Sequence, residues 1–222
     1  MKKLLKIQRI AGATILLAGI LAAGIMQAAY AEMTPEVEVL QQRWAEVNYM
    51  TQGETQVEAF STLIEDARRV TEAQQDSAEA WIWSGIIKSS YAGAKGGLGA
   101  LSSAKAAKED LETAMALDAD AMQGSAYTSL GVLYLSVPGW PVGFGDEAKG
   151  EELLLKGLEI APEGIDANYF YAEHLFKTDK YEDAQRYLMR ALNSPSRPGR
   201  ELADQGRRGE IERMLQQIED TK

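Results

Sequence analysis

Residues 165–195 read IDANYFYAEHLFKTDKYEDAQRYLMRALNSP. Ala172 is followed twelve positions later by Ala184, then by Leu188 and Ala191, and Pro195 closes the run. Small residues at these intervals let two antiparallel helices approach closely, and apolar residues three and four apart fill the seam between them. A tight turn joins the two halves. The stretch therefore predicts a helical hairpin.

The same spacing recurs upstream. YTSLGVLY supplies Tyr127, Leu130, Gly131 and Tyr134 to a first helix, and GEELLLKGLEIAP supplies Gly150, Leu154, Gly157 and Pro162 to a second. WIWSGIIK offers Trp81, Ser84 and Gly85, answered by Ala107, Leu111 and Ala114. A weaker unit precedes these, with Trp44 in its first helix and Leu63, Ala67 and Val70 in its second. Thr34-Pro35-Glu36 opens it with a cap, a proline at the first helical position and an early acid. Elsewhere past residue 32 good helix formers dominate and no alternating strand pattern is sustained. The expectation is an all-α solenoid in which each hairpin buries a face on the next.

This pattern resembles the tetratricopeptide repeat, W-x2-L-G-x2-Y, then A-x3-F-x2-A, then P. The resemblance spans most of residues 34–195. It implies about four repeat-like hairpins over 32–196, followed by a capping helix over 197–222. It also implies a concave surface lined by the first helix of each unit. Carried over position by position, that surface takes Glu79, Ile82, Trp83, Ile86 and Ser89, then Ser125, Thr128, Ser129, Val132 and Leu135, then Asp166, Tyr169, Phe170, Glu173 and Phe176. Relatives that grip a terminal carboxylate use Lys, Arg and Asn there, and none stands at these positions. The implied ligand is an apolar or helical protein segment anchored on aromatic side chains.

Two units are interrupted. From Gly131 to Gly150 is nineteen residues, seven more than the repeat needs, and the excess lies in SVPGWPVGFGDEAKG, 136–150. From Gly85 to Ala107 is twenty-two, ten more than needed, centred on YAGAKGGLGALSSAK. The first is expected to be a shaped loop, with a type II turn over Val137-Pro138-Gly139-Trp140 and Asp146 capping the next helix. The second is expected to be a glycine-rich lip or a site of close helix packing. Trp140, Val142 and Phe144 allow two readings: a local cap over the helix ends, or an edge that meets a partner. GVLYLSVPGWPVGFGDEAKGEELLLKGLEIAP is also similar to the helical periplasmic T-component of TRAP-type solute transporters. That likeness implies an accessory component that holds a small-molecule ligand.

The N-terminus places these helices. Lys2, Lys3, Lys6 and Arg9 precede an apolar run that ends at Ala29-Tyr30-Ala31, the design of a secretory signal peptide over 1–31 with cleavage after Ala31. The alternative is a retained anchor, since Ile10 to Tyr30 is long enough to span a bilayer. Both put the rest of the chain outside the cytoplasm, in the periplasm or secreted. Those 31 residues carry four basic and no acidic groups, so a net charge of −10 becomes −14 without them. Such a surface repels phosphate backbones and anionic headgroups, which argues against nucleic acid and, after cleavage, against membrane.

Cysteine is absent and His174 is the only histidine. Disulfides, thiol chemistry and histidine-rich metal sites are excluded, and GAKGGLGALSSAK lacks the phosphate-loop pattern. No nucleophile–base pair stands out, so no catalytic, metal or cofactor site is expected. In the closing helix Ile211, Met214, Leu215 and Ile218 form one apolar stripe, while Arg200, Asp204, Arg208 and Glu212 alternate in sign as a solvated face. Taken together, the sequence predicts a non-catalytic exported scaffold. Its candidate partner contacts are Trp83, Ile86, Thr128, Val132, Tyr169, Phe170, Glu173, Trp140 and Phe144.

Overall fold

A computed structural model describes residues 33–221, and the proposed signal segment 1–31 lies outside the described residues. Among these residues nine helices and no strand form: α1 Pro35–Met50, α2 Gly53–Ala73, α3 Ala78–Lys95, α4 Gly97–Leu117, α5 Ala121–Ser136, α6 Glu147–Ile160, α7 Ile165–Lys177, α8 Tyr181–Leu192 and α9 Glu201–Asp220. Helices α1/α2, α3/α4, α5/α6 and α7/α8 pair as hairpins, and each hairpin packs on the next. The fold is an all-α, tetratricopeptide-repeat-like solenoid.

Local chemistry sets the helix starts. Thr34 Oγ1 accepts from the Val37 amide, Ser77 Oγ from Ala80 at 3.2 Å, and Asp146 Oδ1 from Lys149 at 3.0 Å. Each bond satisfies an amide that the first helical turn leaves open. Small residues then set how closely the paired helices cross. Ala107, Leu111 and Ala114 are fully buried against α3, where a Cβ on Gly85 would sit 2.6 Å from Leu111 Cγ. In the last hairpin Ala172, Ala184, Leu188 and Ala191 are fully buried in one cluster with Ile211 and Ile218 of α9.

The two interruptions depart from the sequence expectation. The longer one is neither loop nor lip: α3 runs on to Lys95 and α4 starts at Gly97, so the extra residues lengthen both helices. Only Gly96 and Gly97 turn the chain, at φ +61° and +62°, a left-handed conformation that favours glycine. Alanines and serines on either side tolerate helix, and they outweigh the scattered glycines.

The shorter interruption does form a loop, but Gly139 lacks the positive φ that a type II turn requires. Instead the Trp140–Pro141 bond is cis, the amides of Val142 and Gly143 donate to Gly139 O, and the Gly145 amide donates to Pro138 O at 3.0 Å. The Asp146 amide reaches back to Tyr134 O, closing the loop on α5.

Candidate functional site

The first helices of the hairpins, α1, α3, α5 and α7, pack in a row, and the chain's own last helix lies against part of it. α9 packs against α7 and α8 and reaches across to α1. Its Gly206 lies so close to Tyr49 of α1 that a Cβ there would run into the ring. Arg200 sits over the Trp83 ring at 5.5 Å, and Arg207 sits over Tyr169 at 4.3 Å and Phe170 at 4.5 Å. A guanidinium over an aromatic face is attracted by the ring quadrupole, the more so when water is excluded.

Ion pairs complete the seam. Asp166, at the start of α7, accepts from Arg197 Nη1 at 2.7 Å and from Arg207 Nε at 2.9 Å. Arg197 also forks onto Asp204 through Nε at 2.8 Å and Nη2 at 2.6 Å. Arg207 adds Glu210 at 2.5 Å. Arg208 donates to the carbonyls of Leu192 and Ser194, tying α9 to the end of α8.

Arg200, Asp204, Arg208 and Glu212 were expected on a solvated face; Glu212 is exposed, and the structure corrects the other three. Asp204 is buried against Arg197, Arg200 keeps only 15 % of its side chain in solvent, and Arg208 reaches the carbonyls at the end of α8, so their partners lie off the α9 face rather than one turn away along it. Burial opposes ionisation of Asp166, but Arg207, Arg197 and Arg200 outweigh it and hold the carboxyl well below the usual range. Burial also pushes the phenols of Tyr49 and Tyr169 up to about 12, so both stay neutral beside the cluster.

The proposed contact residues therefore fall into separate groups. Trp83, Tyr169 and Thr128 are 1 %, 7 % and 5 % exposed, and none of them is open to a partner here. Trp83 packs on Trp44 at 5.6 Å, and Thr128 lies against Gly157 in the α5–α6 crossing. Phe170 is half-buried beneath Arg207. Ile86, Val132 and Glu173, nearer the turn end of their helices, remain half-open, with Glu173 3.1 Å from Lys177.

Trp140 and Phe144 part company. Phe144 turns inward, edge-to-face with Tyr134 at 5.5 Å and under Lys108 at 6.0 Å. Trp140 is 90 % exposed. The reading as a local cap holds for Phe144, whereas Trp140 stands in solvent.

His174 is buried, 3.8 Å from Glu151 and beside Tyr171, as expected of a packing residue. Among the described residues no group of His, Asp or Glu is arranged to hold a metal ion. A shallow cleft of about 320 Å³ lies between α4, α5 and α6, lined by Met115, Tyr127, Leu130, Tyr134 and two lysines already paired with acids.

Sequence reasoning missed Arg197, Arg207 and Asp166 as a unit. The available signals were an acid at one of the carried-over first-helix positions and Gly206 and Gly209 inside an otherwise strong helix-forming run.

No protein-family model matches the chain, and no curated protein matches it. Two solved structures are similar in part. A crystal structure of MamA protein is 16 % identical, with 78 % of this chain and 90 % of that chain covered at a TM-score of 0.41. A crystal structure of MamA is 20 % identical, with 61 % and 88 % covered at a TM-score of 0.33.

Proposed function

We propose that the protein is an exported, non-catalytic repeat scaffold that takes a helical segment of a protein partner along the open half of its concave face. One observation carries this reading: the face already seats a helix. Arg200, just before α9, and Arg207 within it lie over Trp83, Tyr169 and Phe170, with Asp166 as counter-charge. The same surface continues toward the turn end through Ile86, Val132 and Glu173, which α9 leaves half-open. Aromatic and aliphatic anchors beside a carboxylate suit an amphipathic helix with a basic edge.

A photo-crosslinking residue at Val132 of the exported protein should trap a discrete protein adduct. The same residue at Met189, on α8 and 45 % exposed, should not. Equal yields from both positions, or none from Val132, would overturn the assignment.

Export belongs to the same proposal and is supported by the Ala29-Tyr30-Ala31 site. N-terminal sequencing should begin at Glu32, and a full-length species as the main product would refute it. The ligand-holding alternative has its best place in the cleft beside Tyr127 and Tyr134. A Val132 adduct formed only with a transporter subunit would favour that alternative.

A further inference from the structure

Buried polar side chains are normally hydrogen-bonded, and the exceptions ask for a reason. Among the described residues four buried side-chain atoms reach no partner: Gln41 Oε1 on α1, Trp83 Nε1 on α3, Arg200 Nε just before α9, and Asn168 Oδ1. The last belongs to an amide that already donates to Pro162 O and Gly164 O. The other three side chains have no such bond. Gln41 is 6 % and Trp83 1 % exposed. Arg200 keeps 15 % of its side chain in solvent, and its Nη2 stands 4.0 Å from Asp166, beyond hydrogen-bond reach.

Register brings these three to one level. Short connections make successive helices antiparallel, so the first helices α1, α3 and α7 run the same way. α9 follows them, since Arg200 stands by Asp166 at the start of α7 and Arg207 reaches on to Phe170. Gly206 of α9 abuts Tyr49 of α1, so Arg200, less than two turns earlier, comes level with the turn that carries Gln41. Gln41, Ala45 and Tyr49 form one stripe along that side of α1, at i, i+4 and i+8. Across from it Trp44 packs on the Trp83 ring while its indole N–H reaches on to Ser90, which sets Trp83 opposite the turn before Trp44. The Arg200 guanidinium, 5.5 Å from the Trp83 ring, closes the triangle independently.

We propose that Gln41, Trp83 and Arg200 enclose a binding site for one water molecule, which links α1, α3 and the start of α9. Trp83 and Arg200 each offer an N–H, and Gln41 offers a carbonyl oxygen. One water satisfies all three by accepting twice and donating once, and buried waters typically make about three hydrogen bonds. An anion fits less well. The Gln41 oxygen would repel it, and the charges of the seam already balance, Asp166, Asp204 and Glu210 against Arg197, Arg200 and Arg207. A site closed in this way serves the seam between α9 and the first two hairpins and requires no partner.

The chain's four tryptophans supply the test, because their indole N–H groups have different neighbours. Trp44 donates to Ser90 Oγ at 2.8 Å, Trp81 donates to Gln75 O at 2.9 Å, and Trp140 is 90 % exposed. In proton NMR of the folded protein, the Trp140 N–H should exchange rapidly with solvent and the Trp44 N–H slowly. The Trp83 N–H should exchange slowly and also show a nuclear Overhauser effect to a water held longer than the protein takes to tumble. Gln41→Leu removes the acceptor for that water. The effect should then be lost and the Trp83 signal should move upfield, with slow exchange at Trp44 and a cooperative thermal melt showing that the fold is intact.

An effect relayed by exchanging protons of Arg200 would survive Gln41→Leu, so survival in that variant would overturn the proposal. A Trp83 N–H that exchanges as fast as that of Trp140, or one that exchanges slowly without the effect in the unaltered protein, would overturn it as well. So would a Trp83 signal that titrates with chloride added at constant ionic strength, which would put an anion in place of the water and turn the Gln41 amide over.

Discussion

Three guanidinium groups converge on Asp166: Arg197 at 2.7 Å, Arg207 at 2.9 Å and Arg200 at 4.0 Å. The carboxylate keeps 29 % of its side chain in solvent, whereas Arg207 keeps only 8 %. Removing the charge therefore harms Arg207 more than it relieves Asp166. Asp166→Asn should cost about 2–4 kcal/mol in denaturant unfolding, somewhat less than breaking a fully buried pair. The folded carboxyl titrates below its unfolded value, so its contribution is complete above the ordinary carboxylate range and is lost as pH falls through the lowered folded value. The stability gap between wild type and Asp166→Asn should accordingly be flat from about pH 5 to 8 and narrow below about pH 4. A gap that widens on acidification would show that the cluster does not ionise as described. None of this was legible along the chain, because Arg197 and Arg207 lie 31 and 41 residues from Asp166. The alternation at Arg200, Asp204, Arg208 and Glu212 reads the same whether a helix face meets water or another helix.

At the scale of elements, the two interruptions of the repeat form one unit. The lengthened α4 supplies Leu101, Ala104 and Lys108, and the loop lays Val137, Gly143 and Phe144 against that wall. The repeat spacing bracketed both insertions between crossings that the structure keeps, Gly85 with Ala107 and Gly131 with Gly150. It could not tell a helical extension from a loop, since glycine and alanine in alternation suit both until a neighbouring surface rewards one. Loop and wall make a divided prediction possible. Phe144→Ser should cost about 2 kcal/mol, near half the value for truncating a fully buried aromatic, because the ring is half-buried. Trp140→Ser should change stability by no more than about 0.5 kcal/mol. Thermal melts of the two single variants check this, and similar losses in both would mean that Trp140 also packs.

A linear stack of hairpins transmits strain only to nearest neighbours, and its first and last units do not communicate. Here α9 joins them: it shares a core with α7 and α8 through Ile211, Met214 and Ile218, and it meets α1 at Gly206 and Tyr49. The helix expected to cap one end thereby braces both. Gly206 is the narrowest point of that brace, with no room for a Cβ against the Tyr49 ring. Gly206→Val should push α9 away from α1 while leaving the Ile211–Ile218 half seated on the last hairpin. Amide exchange should then accelerate in α1 and in the first turns of α9, which are distant in sequence. The α5–α6 hairpin, whose crossing at Gly131 and Gly150 touches neither, should keep its protection. Valine is a better helix former than glycine by a few tenths of a kcal/mol, so the change does not unfold α9 on its own. Faster exchange confined to α9 would mean that α1 stands without the brace and that the solenoid is an open stack.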